Sequence, residues 1–159
     1  MNNAMRTWRR FWQMRADVRA RILQAAGGLL LARAGLRLFG FRRWEAAIER
    51  LTRRAVIANG PDAQAQLELA RAIEWSIAAA ARHLPLQSNC LDQALTLWWY
   101  LRRRGIGAKL CLGGRKAAGN FEAHAWVELG EAVFNNESGE SAEFAIFEPA
   151  NAAIERRAL

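Results

Sequence analysis

The sequence predicts an α+β fold: N-terminal helices, then a central helix packed on a small antiparallel sheet. Three observations carry that prediction. Up to about residue 104, apolar side chains recur at three- and four-residue spacings, interrupted at Asn59-Gly60-Pro61-Asp62 and at Pro85. From Ala108 to Glu137 the short apolar segments read as strands, and that from Phe121 to Leu129 alternates with polar residues. Gly130-Glu131 can supply a two-residue hairpin turn between the last two of them.

A chain of 159 residues with 52% hydrophobic and 24% charged side chains can bury a real core, which excludes a disordered segment. Its two cysteines, Cys90 and Cys111, make no disulfide framework and lack the paired spacing of a zinc site, so both are expected as thiols. The net charge of +8 is uneven. Residues 1–60 hold 13 Arg against 3 acidic groups, whereas residues 61–159 hold 10 basic against 12 acidic groups. The organisation expected is therefore a basic helical region over 1–60 and a nearly neutral core over 61–159, together forming one compact domain. The polar start and the early Arg6, Arg9 and Arg10 do not resemble a targeting signal. Arg33 and Arg37 interrupt the most apolar stretch, at about 2.5–3.5 kcal/mol each in mid-bilayer, so no membrane span is expected. The location expected is cytoplasmic.

In order along the chain, a helix is predicted from Thr7 to about Ala34, broken or bent at Gly27-Gly28, with a second apolar run from Leu29 to Phe39 capped by Gly40. Arg42 to Ile57 reads as the next helix. The arginines here, with Trp8, Phe11, Trp12 and Trp44, are either a docking surface or a solvated face over core aromatics; no nucleic-acid-binding motif accompanies them. Asp62 can cap a helix from Ala63 to about His83 whose Leu67, Ala70, Ile73, Ile77 and Ala81 face the core, and His83 suits its C-terminal end.

The chemistry centres on Cys90 and His124. Asn89 is a good N-cap and Asp92 falls at the third helical position, which makes Cys90 the first helical residue. The helix N-terminus there favours a thiolate. Leu91, Ala94, Leu95, Trp98 and Leu101 continue this central helix to Arg102-Arg103-Arg104-Gly105. A free cysteine is often a small core residue, which is the reading for Cys111 in the strand Ala108–Leu112; the capped setting sets Cys90 apart. Gly113 to Asn120 reads as a flexible turn. On the next strand Phe121, Ala123, Ala125, Val127 and Leu129 share one face, and Glu122, His124, Trp126 and Glu128 the other. Glu128 is roughly 13 Å from His124 along a strand rising ~3.3 Å per residue, too far to orient the ring. Strict hairpin pairing favours Asn135 or Glu137 for that task, and a small bulge favours Asn136.

Cys90-Leu91 with Ala94-Leu95, Arg104-Gly105-Ile106, and above all Phe121-Glu122-Ala123-His124-Ala125-Trp126-Val127-Glu128 resemble the leader peptidases of lasso peptide biosynthesis. These are stand-alone proteases with a transglutaminase-like, papain-related core. Upstream, Leu31-Ala32-Arg33, Leu36 and Phe41-Arg42-Arg43 extend the resemblance. It implies a cysteine endopeptidase that cuts a ribosomal precursor after the leader's last residue, near a threonine at the leader's penultimate position. It implies as partners the precursor peptide, a small leader-recognition protein and an ATP-dependent cyclase. Carried over by residue, Cys90 is the nucleophile and His124 the base. The family's aspartate falls on Asn136, and papain-like proteases use asparagine there too. Asp92-Gln93 departs from the basic residue more usual in the family. The Cys90 amide, with Gln87, is assigned to the oxyanion, and Trp126 to the substrate side of the site. No cofactor or metal is expected, nor a nucleic-acid partner. The alternatives are an amide-forming acyltransferase on the same core, or an inactive module that docks a partner through its basic helices.

Overall fold

The computed structural model describes residues 15–57, 62–83, 88–117, 120–136 and 144–147. Trp8, Phe11, Trp12, Pro85, Gln87 and Glu137 lie outside them. The α+β expectation is met by four helices and a four-stranded antiparallel sheet.

Helix α1 (Ala16–Phe39) runs 24 residues without the break expected at Gly27-Gly28. Local propensity argues for a break, but tertiary contact decides otherwise. Gly28 is buried, and a Cβ there would fall 2.7 Å from both Thr96 Cγ2 and Tyr100 Oη, on the helix that crosses α1. Glycine at this point serves close approach, not a bend. The Tyr100 hydroxyl donates to the Gln24 carbonyl across the same crossing. The helix ends as expected at Gly40, with φ 73° and its N–H on the Leu36 carbonyl. By length and composition α1 could cross a membrane, yet its Ala25, Leu29 and Ala32 are buried in the protein core.

Helix α2 (Phe41–Ile57) buries Glu45, Ile48 and Thr52, while Arg42, Arg43, Arg50, Arg53 and Arg54 are exposed. Thr52 Oγ1 donates to the Ile48 carbonyl at 2.8 Å and accepts from Arg102 Nε at 3.0 Å, which ties α2 to the helix behind it. Helix α3 (Ala63–His83) starts where Asp62 Oδ1 accepts the Ala65 N–H at 3.0 Å, and buries Ala70, Ile73 and Ile77 as expected. His83 is exposed at its end.

Helix α4 (Cys90–Arg102) is central: α1, α2 and α3 pack on it from one side and the sheet from the other. Its buried surface is accordingly wider than one stripe. Leu95, Trp98 and Leu101 are sealed off, and so are Thr96 and Leu97. The Trp98 indole N–H donates to the Ala108 carbonyl at 3.0 Å and fixes the exit of the chain towards the sheet.

The strands β1 (Lys109–Ala117), β2 (Asn120–Leu129), β3 (Ala132–Phe134) and β4 (Ala145–Phe147) lie in the order β3-β2-β1-β4. The two-residue turn at Gly130-Glu131 holds, with Leu129 opposite Ala132. The turn expected from Gly113 is corrected, because β1 continues to Ala117. Gly113 and Gly114 leave room for rings: a Cβ at either would come within 2.8 Å of Trp126 or 2.5 Å of Phe121 and Phe147. One face of the sheet, with Leu110, Ala125, Val127 and Phe134, joins the helical core. The other carries a separate cluster of Cys111, Trp126 and Phe144.

Two stability measurements follow from this packing. Gly28→Ala costs about 1–3 kcal/mol in urea unfolding through overpacking against α4, whereas Gly27→Ala, which meets open space, gains up to about 1 kcal/mol. Burial, with the Glu49 carboxylate second and Arg42 opposing, raises the Glu45 carboxyl to about 7. The folded state thus keeps a proton that the unfolded chain sheds near its ordinary value, and stability falls as pH rises between the two. In Glu45→Gln that fall disappears, so its advantage over the native chain grows by as much as about 3 kcal/mol from pH 4 to pH 8.

Candidate active site

The N-terminus of α4 is built from its own sequence. Asn89 accepts the Asp92 N–H on its side chain at 2.8 Å, and the Asp92 carboxylate accepts the Asn89 N–H at 3.4 Å, a reciprocal capping box. Asp92 is buried, and Arg33 of α1 reaches to 3.8 Å from it. Burial pushes its carboxyl above the usual range, while the Asn89 N–H, Arg33 and Arg37 pull it down. Cys90 is the first helical residue, as expected, and its amide has no intrahelical acceptor.

The helix places the half-buried Cys90 thiol against the edge of β2. Sγ lies 4.0 Å from the carbonyl oxygen of Ala123, the residue immediately before His124. Successive carbonyls of a strand point to opposite edges, so those of Ala123 and Ala125 face the same way, away from β1. Beyond Val127 opposite Phe134 the hairpin stops pairing, and this edge is left to α4 and to Asn135. Between Cys90 and His124 the described residues make no direct hydrogen bond; such contacts are often long before a substrate binds.

Asn135 joins the two elements. Its side-chain amide donates to the Cys90 carbonyl at 3.0 Å and to the Ala125 carbonyl at 2.8 Å. Its own carbonyl lies 2.9 Å from His124 Nε2. A carbonyl can only accept, so Nε2 carries the ring proton and Nδ1 holds the free lone pair. Asn135 does this at φ 60°, a left-handed conformation that asparagine tolerates at a cost on the order of 1 kcal/mol. The ring contact of Asn135 is therefore made by its backbone, not by the side chain that sequence spacing suggests. Asn136, the residue to which the resemblance assigns the third role, lines a cavity of about 370 Å³ beside Asn135, together with Arg71, Glu74, Trp75 and Gln93.

Trp126 stands behind the imidazole. The rings stack at 6.0 Å and 16°, and Phe144 closes on His124 at 5.4 Å from another side. The indole is 1% exposed and its N–H donates to Glu128 at 2.9 Å, so it walls the histidine from within and does not present itself to a substrate. Cys111 is buried in that same cluster. Burial first, then the Glu128 carboxylate, pushes its thiol up to about 12 against a weaker pull from Lys109. Among the described residues no three His, Cys, Asp or Glu side chains gather as a metal site.

The family model for the transglutaminase-like superfamily matches residues 35–148. The chain belongs to that superfamily. The matched stretch contains Cys90, His124, Asn135 and Asn136, and this transglutaminase-like core is of the cysteine protease or acyltransferase type. No curated protein and no solved structure matches the chain.

Sequence reasoning missed Glu74 of α3, whose Oε1 accepts the Asn135 N–H at 2.5 Å. One signal was available: Glu74 falls on the same helical face as Ala70, Ile73 and Ile77, where a carboxylate needs a partner. The two sulfurs should differ sharply in reactivity. In the native protein at pH 7.5, iodoacetamide followed by peptide mass spectrometry should label Cys90 about tenfold or more faster than Cys111. Equal labelling in the folded state would contradict this placement of the two thiols.

Proposed function

We propose that this transglutaminase-like chain is a cysteine endopeptidase that removes the leader from a ribosomally made precursor of the lasso peptide class. One observation carries the reading: a capped helix brings Cys90 to the strand edge beside His124, and Asn135 binds both. The resemblance of Cys90-Leu91 and Phe121–Glu128 to the lasso leader peptidases supplies the substrate class. A small recognition protein that holds the leader and an ATP-dependent cyclase are the partners this reading requires. A reducing cytosol is the compartment that suits its free thiol.

The chemistry is acyl transfer. His124 Nδ1 takes the Cys90 proton as sulfur attacks the carbonyl of the leader's last residue. The Asn135 carbonyl, on the opposite ring nitrogen, holds the imidazole in the tautomer this needs and accepts from the imidazolium that forms. The developing oxyanion meets the Cys90 amide at the helix start. The C–N bond breaks, the core peptide's amine leaves with the proton from His124, and water releases the leader from the thioester. The superfamily's name supports a second reading, in which a primary amine replaces that water. Stacking on Trp126 and the tilted Phe144 ring restrict ring rotation in either case.

The test is incubation with a candidate precursor encoded beside this gene, with and without its recognition protein, and mass spectrometry of the products. Two fragments summing to the precursor plus one water are expected, and an amine adduct as main product would favour the transferase instead. Cys90→Ala and His124→Ala should each lower the rate by about 10³-fold or more. Undiminished cleavage in either variant would remove the protease reading.

A further inference from the structure

Four hydrogen bonds gather on Asn135, and three of them are to the nucleophile helix or to the strand of the imidazole. The side-chain amide spans Cys90 and Ala125, and the carbonyl takes His124 Nε2. The fourth contact comes from elsewhere in the fold. Glu74, 61 residues upstream on α3, accepts the Asn135 N–H at 2.5 Å.

We propose that Glu74 is a positioning residue for His124, acting through the Asn135 backbone. The inference rests on the reading of Cys90 and His124 as the reactive pair. Three features point to it. Asn135 sits just past the last hairpin pair, Val127 opposite Phe134, so no strand holds its backbone in place. Its left-handed φ of 60° must be held by contacts outside the local chain. The direction of the Asn135 carbonyl, and hence the ring nitrogen that carries the proton, depends on that backbone staying fixed. Glu74 is itself on a rigid wall, since its neighbours Ile73 and Ile77 are buried in the helical core.

Reach and acceptor character are what this role needs, and charge is secondary. Gln at 74 keeps an oxygen at the same distance. Asp at 74 keeps the charge but is one methylene short, and Ala removes the contact altogether. Glu74 also lines the cavity beside Asn135, so each variant can be made without disturbing a sealed part of the core.

The experiment measures two quantities on the purified full chain: the ¹⁵N shifts of the His124 ring, and the rate of Cys90 alkylation by iodoacetamide at pH 7. In the native chain and in Glu74→Gln, the ring should be protonated at Nε2 and the alkylation rates should agree within about twofold. In Glu74→Asp and Glu74→Ala, the ring should populate both tautomers and alkylation should slow about tenfold. Thermal melting of each variant separates a loss of fold from a loss of position. If Glu74→Ala cannot be obtained folded, the contrast between Gln and Asp decides the matter alone. Native ring shifts and native alkylation in a folded Asp or Ala variant would overturn the proposal, as would failure of Gln to restore them. His124→Ala serves as the reference: if it too leaves Cys90 alkylation unchanged, the reactive pair itself is wrong. If it slows alkylation while Glu74→Asp does not, only the role of Glu74 falls.

Discussion

The arrangement depends on one constraint, the docking of a helix start against an unpaired stretch of strand edge. Antiparallel pairing normally consumes the carbonyls of an inner strand, but β3 is only three residues long and leaves those of Ala123 and Ala125 uncovered. Ala125 is buried, where a carbonyl without a partner is costly, whereas Ala123 is exposed. The Asn135 amide covers one and the Cys90 thiol lies over the other. The short third strand thus leaves this edge open to the Cys90 thiol and to Asn135, next to the residue before His124.

What secures the helix in that position is mostly apolar and lies on the other side of it. α4 is enclosed by α1, α2 and α3, and the glycine at 28 brings α1 close enough to close over Thr96 and Tyr100. Arg33 projects from the same helix towards Asp92 in the capping box. The basic N-terminal segment therefore does more than supply charge: α1 helps to hold the first turn of α4. The five arginines of α2, by contrast, are exposed to solvent.

Features with local causes were legible in the sequence. Asn89 and Asp92 make their reciprocal bonds three residues apart, and Gly130-Glu131 turns the chain within two residues; both were readable without a fold. Alternation along Phe121–Leu129 placed His124, Trp126 and Glu128 on one face, as the stacking of His124 on Trp126 and the bond from Trp126 to Glu128 show. Misreadings arose where a residue answers to a distant neighbour. Gly27-Gly28 and Gly113-Gly114 look like breaks to any local rule, and the helix that Gly28 admits and the rings that Gly113 and Gly114 admit come from elsewhere in the chain. Asn135 falls in the same class, because its contact with the imidazole is made by a backbone atom and no side-chain preference announces it.

The sheet also keeps the chain's two sulfurs apart. Cys90 packs with the helical core and Cys111 lies sealed in the cluster on the far face. Should an oxidant convert the first to a sulfenic acid, no second thiol of this chain can reach it to close a protective disulfide. Repair then falls to small thiols from solution, and the reducing power of the surroundings sets how long such a molecule stays competent.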